Sequence, residues 1–152
     1  MTYKEFLESK IELAQDSGFV VDPAKINKAL KPHQRDAVMW ALKGGRRALF
    51  ESFGLGKTIQ EIEFCHLAAE YSGGRALIVL PLGVKQEFTH DAVEVLGYEK
   101  PEYCRTMEEV EKSTSQIVLT NYERVRDGDI RPDYFAATSL DEASVLRSFG
   151  SK

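Results

Sequence analysis

Between Phe50 and Thr58 the chain reads F-E-S-F-G-L-G-K-T. Glycine, lysine and a hydroxyl residue in this order suit the binding of a polyphosphate. Gly54 and Gly56 allow backbone N–H groups to turn inward without side-chain bulk. Lys57 can bring a positive charge to the outer phosphates, and Thr58 can offer a hydroxyl to Mg²⁺. The strict pattern G-x-x-x-x-G-K-[ST] wants glycine at 51, where this chain has Glu51. What survives is G-x-G-K-T, entered by an apolar run and left by a helix-compatible one.

A second group lies far downstream, L-D-E-A-S at 140–144. An aspartate that ends a buried strand can hold Mg²⁺, directly or through water, so Asp141 is a candidate metal ligand. Glu142, beside it, can orient and deprotonate an attacking water. Two adjacent acids are common on surfaces. The combination with the upstream G-K-T carries more weight than either motif alone.

These residues need elements to position them, and the pattern of the chain supplies them. Tyr3, Phe6, Leu7, Ile11 and Ala14 recur at helical spacing, which predicts an amphipathic helix over 3–17. Asp22-Pro23 predicts a capped helix running to about Leu30. Pro32 opens another, through Trp40 to Lys43, ended by Gly44-Gly45. Strands are expected over 46–50, 76–80, 103–105 and 117–120, with a weaker run over 135–140. Helices are expected over 58–71 and 85–96, and over 107–112 behind the capping pair Thr106 and Glu109. Strands and helices alternate, which implies an α/β domain with a mainly parallel sheet and helices on both faces. In such sheets ligands bind at the carboxyl ends of the strands, where both motifs fall.

Bulk numbers agree with one such domain. The chain has 152 residues, 43% of them hydrophobic and 29% charged, with net charge −4. The acidic balance argues against coating nucleic acid through bulk charge, though it leaves room for a local groove. Cys65 and Cys104 lie far apart and read as reduced thiols. Neither a signal peptide nor a run of the roughly 18 apolar residues that span a membrane is found, so a cytoplasmic protein without membrane contact is expected.

Set together, the motifs resemble the first RecA-like domain of superfamily-two helicases, in the style of Swi/Snf-like and phage-encoded DEAD/DEAH-type proteins. The matching residues are G-L-G-K-T-I-Q at 54–60 and L-D-E-A-S at 140–144. L-K-P-H-Q at 30–34 resembles the upstream glutamine motif, A-L-I-V-L-P-L-G-V-K at 76–85 motif Ia, and V-L-T-N-Y-E at 118–123 motif Ib. The resemblance implies a P-loop NTPase fold, a three-layer αβα domain over residues 28–152, behind a helical extension over 1–27. It implies ATP and Mg²⁺ as cofactors, with DNA or RNA as partner. Backbone N–H groups of Gly54, Leu55 and Gly56, with Lys57, would hold the phosphates, and Gln34 would read the adenine edge. Thr58 and Asp141 would bind the metal, and Glu142 would be the general base. Pro81, Leu82, Lys85, Thr120 and Asn121 would face the nucleic-acid backbone. Ser144 replaces the usual last residue of the DEAD/DEAH box, which touches the coupling of ATP state to the next motif.

The same resemblance implies that the domain is incomplete after its acidic motif at 140–144. The strand carrying motif III, and a second RecA-like domain with an arginine finger, would follow. A gap or an altered pairing is therefore expected between the strands ending at Phe50 and Leu140. Two other readings are a non-catalytic nucleotide- or protein-binding remnant, and a small-molecule kinase, which would not need the glutamine motif or T-N-Y-E. Among residues outside the motifs, His33, His66 and His90 have no metal spacing and read as surface or core. Trp40 is expected in the core. Lys43, Arg46 and Arg47, and Glu108, Glu109 and Glu111, read as solvated residues.

Overall fold

The computed structural model describes residues 20–44, 47–50 and 57–141, the segment 47–50 through its backbone. The helix expected over 3–17 lies outside the described residues. Five strands form one sheet: β1 (Arg47–Phe50), β2 (Ala76–Val79), β3 (Glu102–Tyr103), β4 (Ile117–Thr120) and β5 (Ala137–Asp141). Their order is β1-β5-β2-β4-β3, and every pairing is parallel.

A gap or an altered pairing is expected between the strands ending at Phe50 and Leu140. Among the described residues there is no gap: the two strands pair directly, with nothing between them. β5, the last strand in the chain, slots between β1 and β2 and bonds to both. Phe50 stands opposite Asp141, so the strand end that launches the glycine-rich segment adjoins the strand end that carries the acid.

Three layers follow from the alternation of side chains along each strand. Ala76, Ile78, Ile117, Leu119 and Ala137 face one core. It is closed by α1 (Pro32–Gly44), α2 (Lys57–Ser72) and α3 (Lys85–His90), from which Val38, Leu42, Ile62, Phe64 and Phe88 are all fully buried. Leu77, Val79, Val118 and Leu140 face the other. That core is closed by Val110 from α4 (Met107–Lys112) and Tyr122 from α5 (Tyr122–Arg126). Among the described residues no helix is long and apolar enough to cross a membrane.

Several local expectations are corrected. The helix begun at Asp22 is a single 3₁₀ turn, Pro23–Lys25, capped by the Asp22 carboxylate at Ala24 N (3.0 Å). It stops because Ile26 turns extended and Asn27 gives its N–H to Glu63 instead of to the turn behind it. Trp40 is 78% exposed, not in the core. The inward stripe of α1 is Gln34, Val38, Ala41 and Leu42, and position 40 lies off it. The helix from Lys85 stays α-helical only to His90, then widens into a π-helical turn over Asp91–Val95, with Leu96 N bonding Asp91 O at 3.0 Å. Gly97, at φ +76°, ends it. Helix α5, directly after Asn121, is an element that the sequence pattern does not predict.

Thr106 caps α4 as expected, accepting from Glu109 N at 3.2 Å. The Glu109 carboxylate reaches back one residue further than the pattern implies, to Arg105 N at 2.7 Å. That bond holds the Glu109 carboxyl below the usual carboxylate range.

Candidate functional site

The carboxyl ends of β1 and β5 adjoin, and α2 begins above them. Lys57, its first residue, places Nζ 2.8 Å from Asp141 Oδ1. The Lys57 side chain keeps 15% of its surface and Asp141 3%, so the pair is largely shielded from water. Thr58 follows on the first turn of α2, half-buried. Lys57, Thr58 and Asp141 are thus gathered at one end of the sheet. Gly54, Leu55, Gly56 and Glu142 lie outside the described residues.

One helical turn beyond Lys57 sits Glu61, fully buried, with neither carboxylate oxygen hydrogen-bonded. Burial pushes its pKa well up; the negative charge of Asp141 adds to this and Lys57 opposes it. Ser139, two residues before Asp141 and so on the same face of β5, is likewise fully buried, with its hydroxyl unpartnered. Cys65 continues the row a further turn along α2. Its thiol is pushed up by burial first and by Glu61 second. Sequence reasoning missed Glu61. Its signal was the pair of acids in E-I-E-F-C, set among the apolar residues Ile59, Ile62, Phe64 and Cys65.

Glu63 is also fully buried but fully engaged. It accepts from Asn27 N at 2.8 Å and from the Tyr98 hydroxyl. Asn27 Nδ2 in turn donates to Leu96 O at 2.8 Å. The Tyr98 ring stacks on His66 with centroids 3.8 Å apart, and His66 Nδ1 lies 3.0 Å from Gln116 Oε1. Burial, with the hydrogen bond to Glu63, raises the Tyr98 pKa far above that of an ordinary phenol. This network fastens the segment before α1 to the middle of α2. Gln34, 5% exposed, accepts from Lys31 N through Oε1 at 2.7 Å. The oxygen side of its amide therefore closes the start of α1.

The residues expected along a nucleic-acid strand form a second group, at the ends of β2 and β4. Leu82 is 55% exposed and Pro81 is buried. Lys85 is half-buried, its Nζ 4.7 Å from the centroid of the Tyr103 ring. Thr120 is fully buried and its hydroxyl donates to Cys104 O at 2.8 Å. Asn121 accepts from the Tyr103 hydroxyl at 2.6 Å and donates to Glu123 Oε1 at 2.9 Å. The side chains of Thr120 and Asn121 thus bind the fold together, which leaves Leu82 and Lys85 as the ones presented outward.

Among the described residues no group of three or more His, Cys, Asp or Glu side chains could hold a metal ion. His33, His66 and His90 do not converge. Cys65 and Cys104 are free thiols, both buried. Comparison of the chain with protein-family models finds no match, and comparison with curated proteins finds none either.

Proposed function

We propose that this chain is the ATP-binding lobe of a nucleic-acid-dependent ATPase or helicase, built on a RecA-like P-loop domain. The observation that carries the reading is the Lys57–Asp141 pair at the adjoining ends of β1 and β5. Two motifs singled out for phosphate and metal chemistry, far apart in sequence, meet at the strand ends where α/β sheets bind ligands.

The residues suit Mg²⁺-ATP. The Thr58 hydroxyl and the Asp141 carboxylate are hard oxygen donors of the kind Mg²⁺ takes. Mg²⁺, when bound, neutralises charge that develops on the phosphates. Lys57 exchanges Asp141 for a phosphate oxygen, so nucleotide entry breaks the ion pair. Glu142, next in the chain, takes the role of base toward water. One lobe supplies one wall of such a site, so turnover and strand movement are assigned to its pairing with a second lobe that brings an arginine. The chain alone should bind nucleotide weakly and unwind nothing.

Titration with a fluorescent ATP analogue and Mg²⁺ tests this. Lys57→Ala should abolish the binding signal. Binding unchanged in Lys57→Ala would remove the phosphate-site reading. Strong nucleic-acid-stimulated hydrolysis by the chain alone would remove the need for a second lobe. Binding that Lys57→Ala abolishes, but that never leads to turnover when a second lobe is supplied, would favour a non-catalytic nucleotide-binding remnant.

A further inference from the structure

Tyr103 ends the short edge strand β3, and its side chain meets two separate segments of the chain. Lys85, the first residue of α3, sets Nζ 4.7 Å from the ring centroid. Asn121, from the turn after β4, accepts from the phenol at 2.6 Å. Arg124, on α5, lies beside the same hydroxyl. We propose that Tyr103 is a positioning residue that holds Lys85 and the Asn121 turn as one platform for a phosphate of a nucleic-acid strand. The ligand in this proposal rests on the nucleic-acid reading above.

Lys85 is held differently from the ion-paired cations. Along the described chain, Lys57 is paired with Asp141, Arg105 with Glu109, Arg124 with Asp129 and Arg126 with Asp127. Lys85 is in no such pair; it is held by an aromatic face. A carboxylate partner would cancel the charge that an incoming anion needs. A ring restrains the ammonium through its quadrupole and leaves the net charge intact. A free lysine has several rotatable bonds to order when it binds, and restraint on the ring removes part of that cost beforehand. The phenol hydroxyl does the same for Asn121, whose other amide end is fixed by Glu123. One residue thereby sets the spacing between the two segments.

Two measurements on the 152-residue chain test this. The first is NMR of the Lys85 methylene protons. A lysine lying over a ring gives upfield ring-current shifts, which Tyr103→Leu should abolish and Tyr103→Phe should keep. The second is fluorescence anisotropy with a labelled oligothymidylate over a range of salt. Lys85→Ala and Tyr103→Leu should each weaken binding by about two- to fivefold. They should also flatten the salt dependence by up to one phosphate contact. Tyr103→Phe should restore the part due to Lys85. Unfolding midpoints of the variants separate these effects from loss of fold.

If Lys85→Ala weakens binding and Tyr103→Leu does not, the positioning role is wrong and the nucleic-acid reading stands. If wild type does not bind the oligonucleotide, or Lys85→Ala binds it as well as wild type, the nucleic-acid reading falls and takes the ligand of this proposal with it. Lys85 methylene shifts that are unchanged in Tyr103→Leu overturn the positioning role whatever the binding result.

Discussion

Lys57 and Asp141, 84 positions apart in the chain, form a 2.8 Å ion pair at the end of the sheet. Two strands make that contact possible: β1 leads toward Lys57, β5 ends on Asp141, and the two lie in register side by side. The pair is shielded enough that each charge depends on the other. Removing one member of such a pair leaves a poorly solvated charge, at a cost of about 3–5 kcal/mol. Asp141→Leu and Lys57→Met should each lower stability on that scale. The double variant should recover much of the loss, because neither charge is then stranded. Urea unfolding of the four proteins gives the coupling energy. Strictly additive single effects would mean that the ion pair contributes nothing to the fold.

Glu61 should weaken the fold in a pH-dependent way. Its carboxyl is buried, unpartnered and raised in pKa, chiefly by desolvation and secondarily by Asp141, with Lys57 opposing. Folded chains therefore hold this proton to higher pH than unfolded ones. The unfolded state binds fewer protons above the ordinary glutamate range, so this group's contribution falls as pH rises from there toward the raised value. Glu61→Leu removes both the unsatisfied acid and its titration. The variant should be more stable than wild type by about 1–3 kcal/mol near neutral pH, with the difference shrinking toward pH 4. Thermal unfolding at several pH values reads this directly, and parallel curves would show that the group has an ordinary environment.

Glu63, two residues on, should behave in the opposite sense. Both of its oxygens are used, one by Asn27 N–H and one by the Tyr98 hydroxyl. Glu63→Ala strands both donors, whereas Tyr98→Phe removes a donor and leaves the carboxylate its bond from Asn27. Glu63→Ala should therefore cost about 1–3 kcal/mol more than Tyr98→Phe. It should also speed amide exchange at Asn27 and in the start of α1. Equal unfolding midpoints for the two variants would mean that the Asn27 contact is not held by this acid.

Much of the architecture was legible in residue order. The apolar runs at 76–80 and 117–120 became β2 and β4 because a strand covered on both faces must be apolar on both. Thr106 and Glu109 marked the start of α4 because capping is a local hydrogen-bond requirement. Pro32 and Gly44 bracketed α1 for equally local reasons. Where the reading failed, a distant partner had intervened. The Asp22 turn did not lengthen because Glu63, 36 positions away from Asn27, took the N–H that the helix needed. Trp40 is expected in the core, but the face of α1 that turns inward carries Gln34, Val38, Ala41 and Leu42 and leaves it outside.

The sequence by itself determined most of the elements: the buried strands β2 and β4, the starts of α1 and α4, and a late strand that ends on an acid. Backbone propensity, capping and hydrophobic period act over a few residues, so they can be read in order. Only the tertiary structure decided that β5 inserts between β1 and β2, because strand order is set by which buried faces fit together across the whole sheet. That insertion brings Asp141 to Lys57 and leaves Glu61 buried and unpartnered one turn above. It is also only in the fold that Thr120 and Asn121 turn their polar groups inward while Lys85 rests on Tyr103. Spacing along a chain cannot specify those contacts, since each joins segments whose separation is fixed by packing alone.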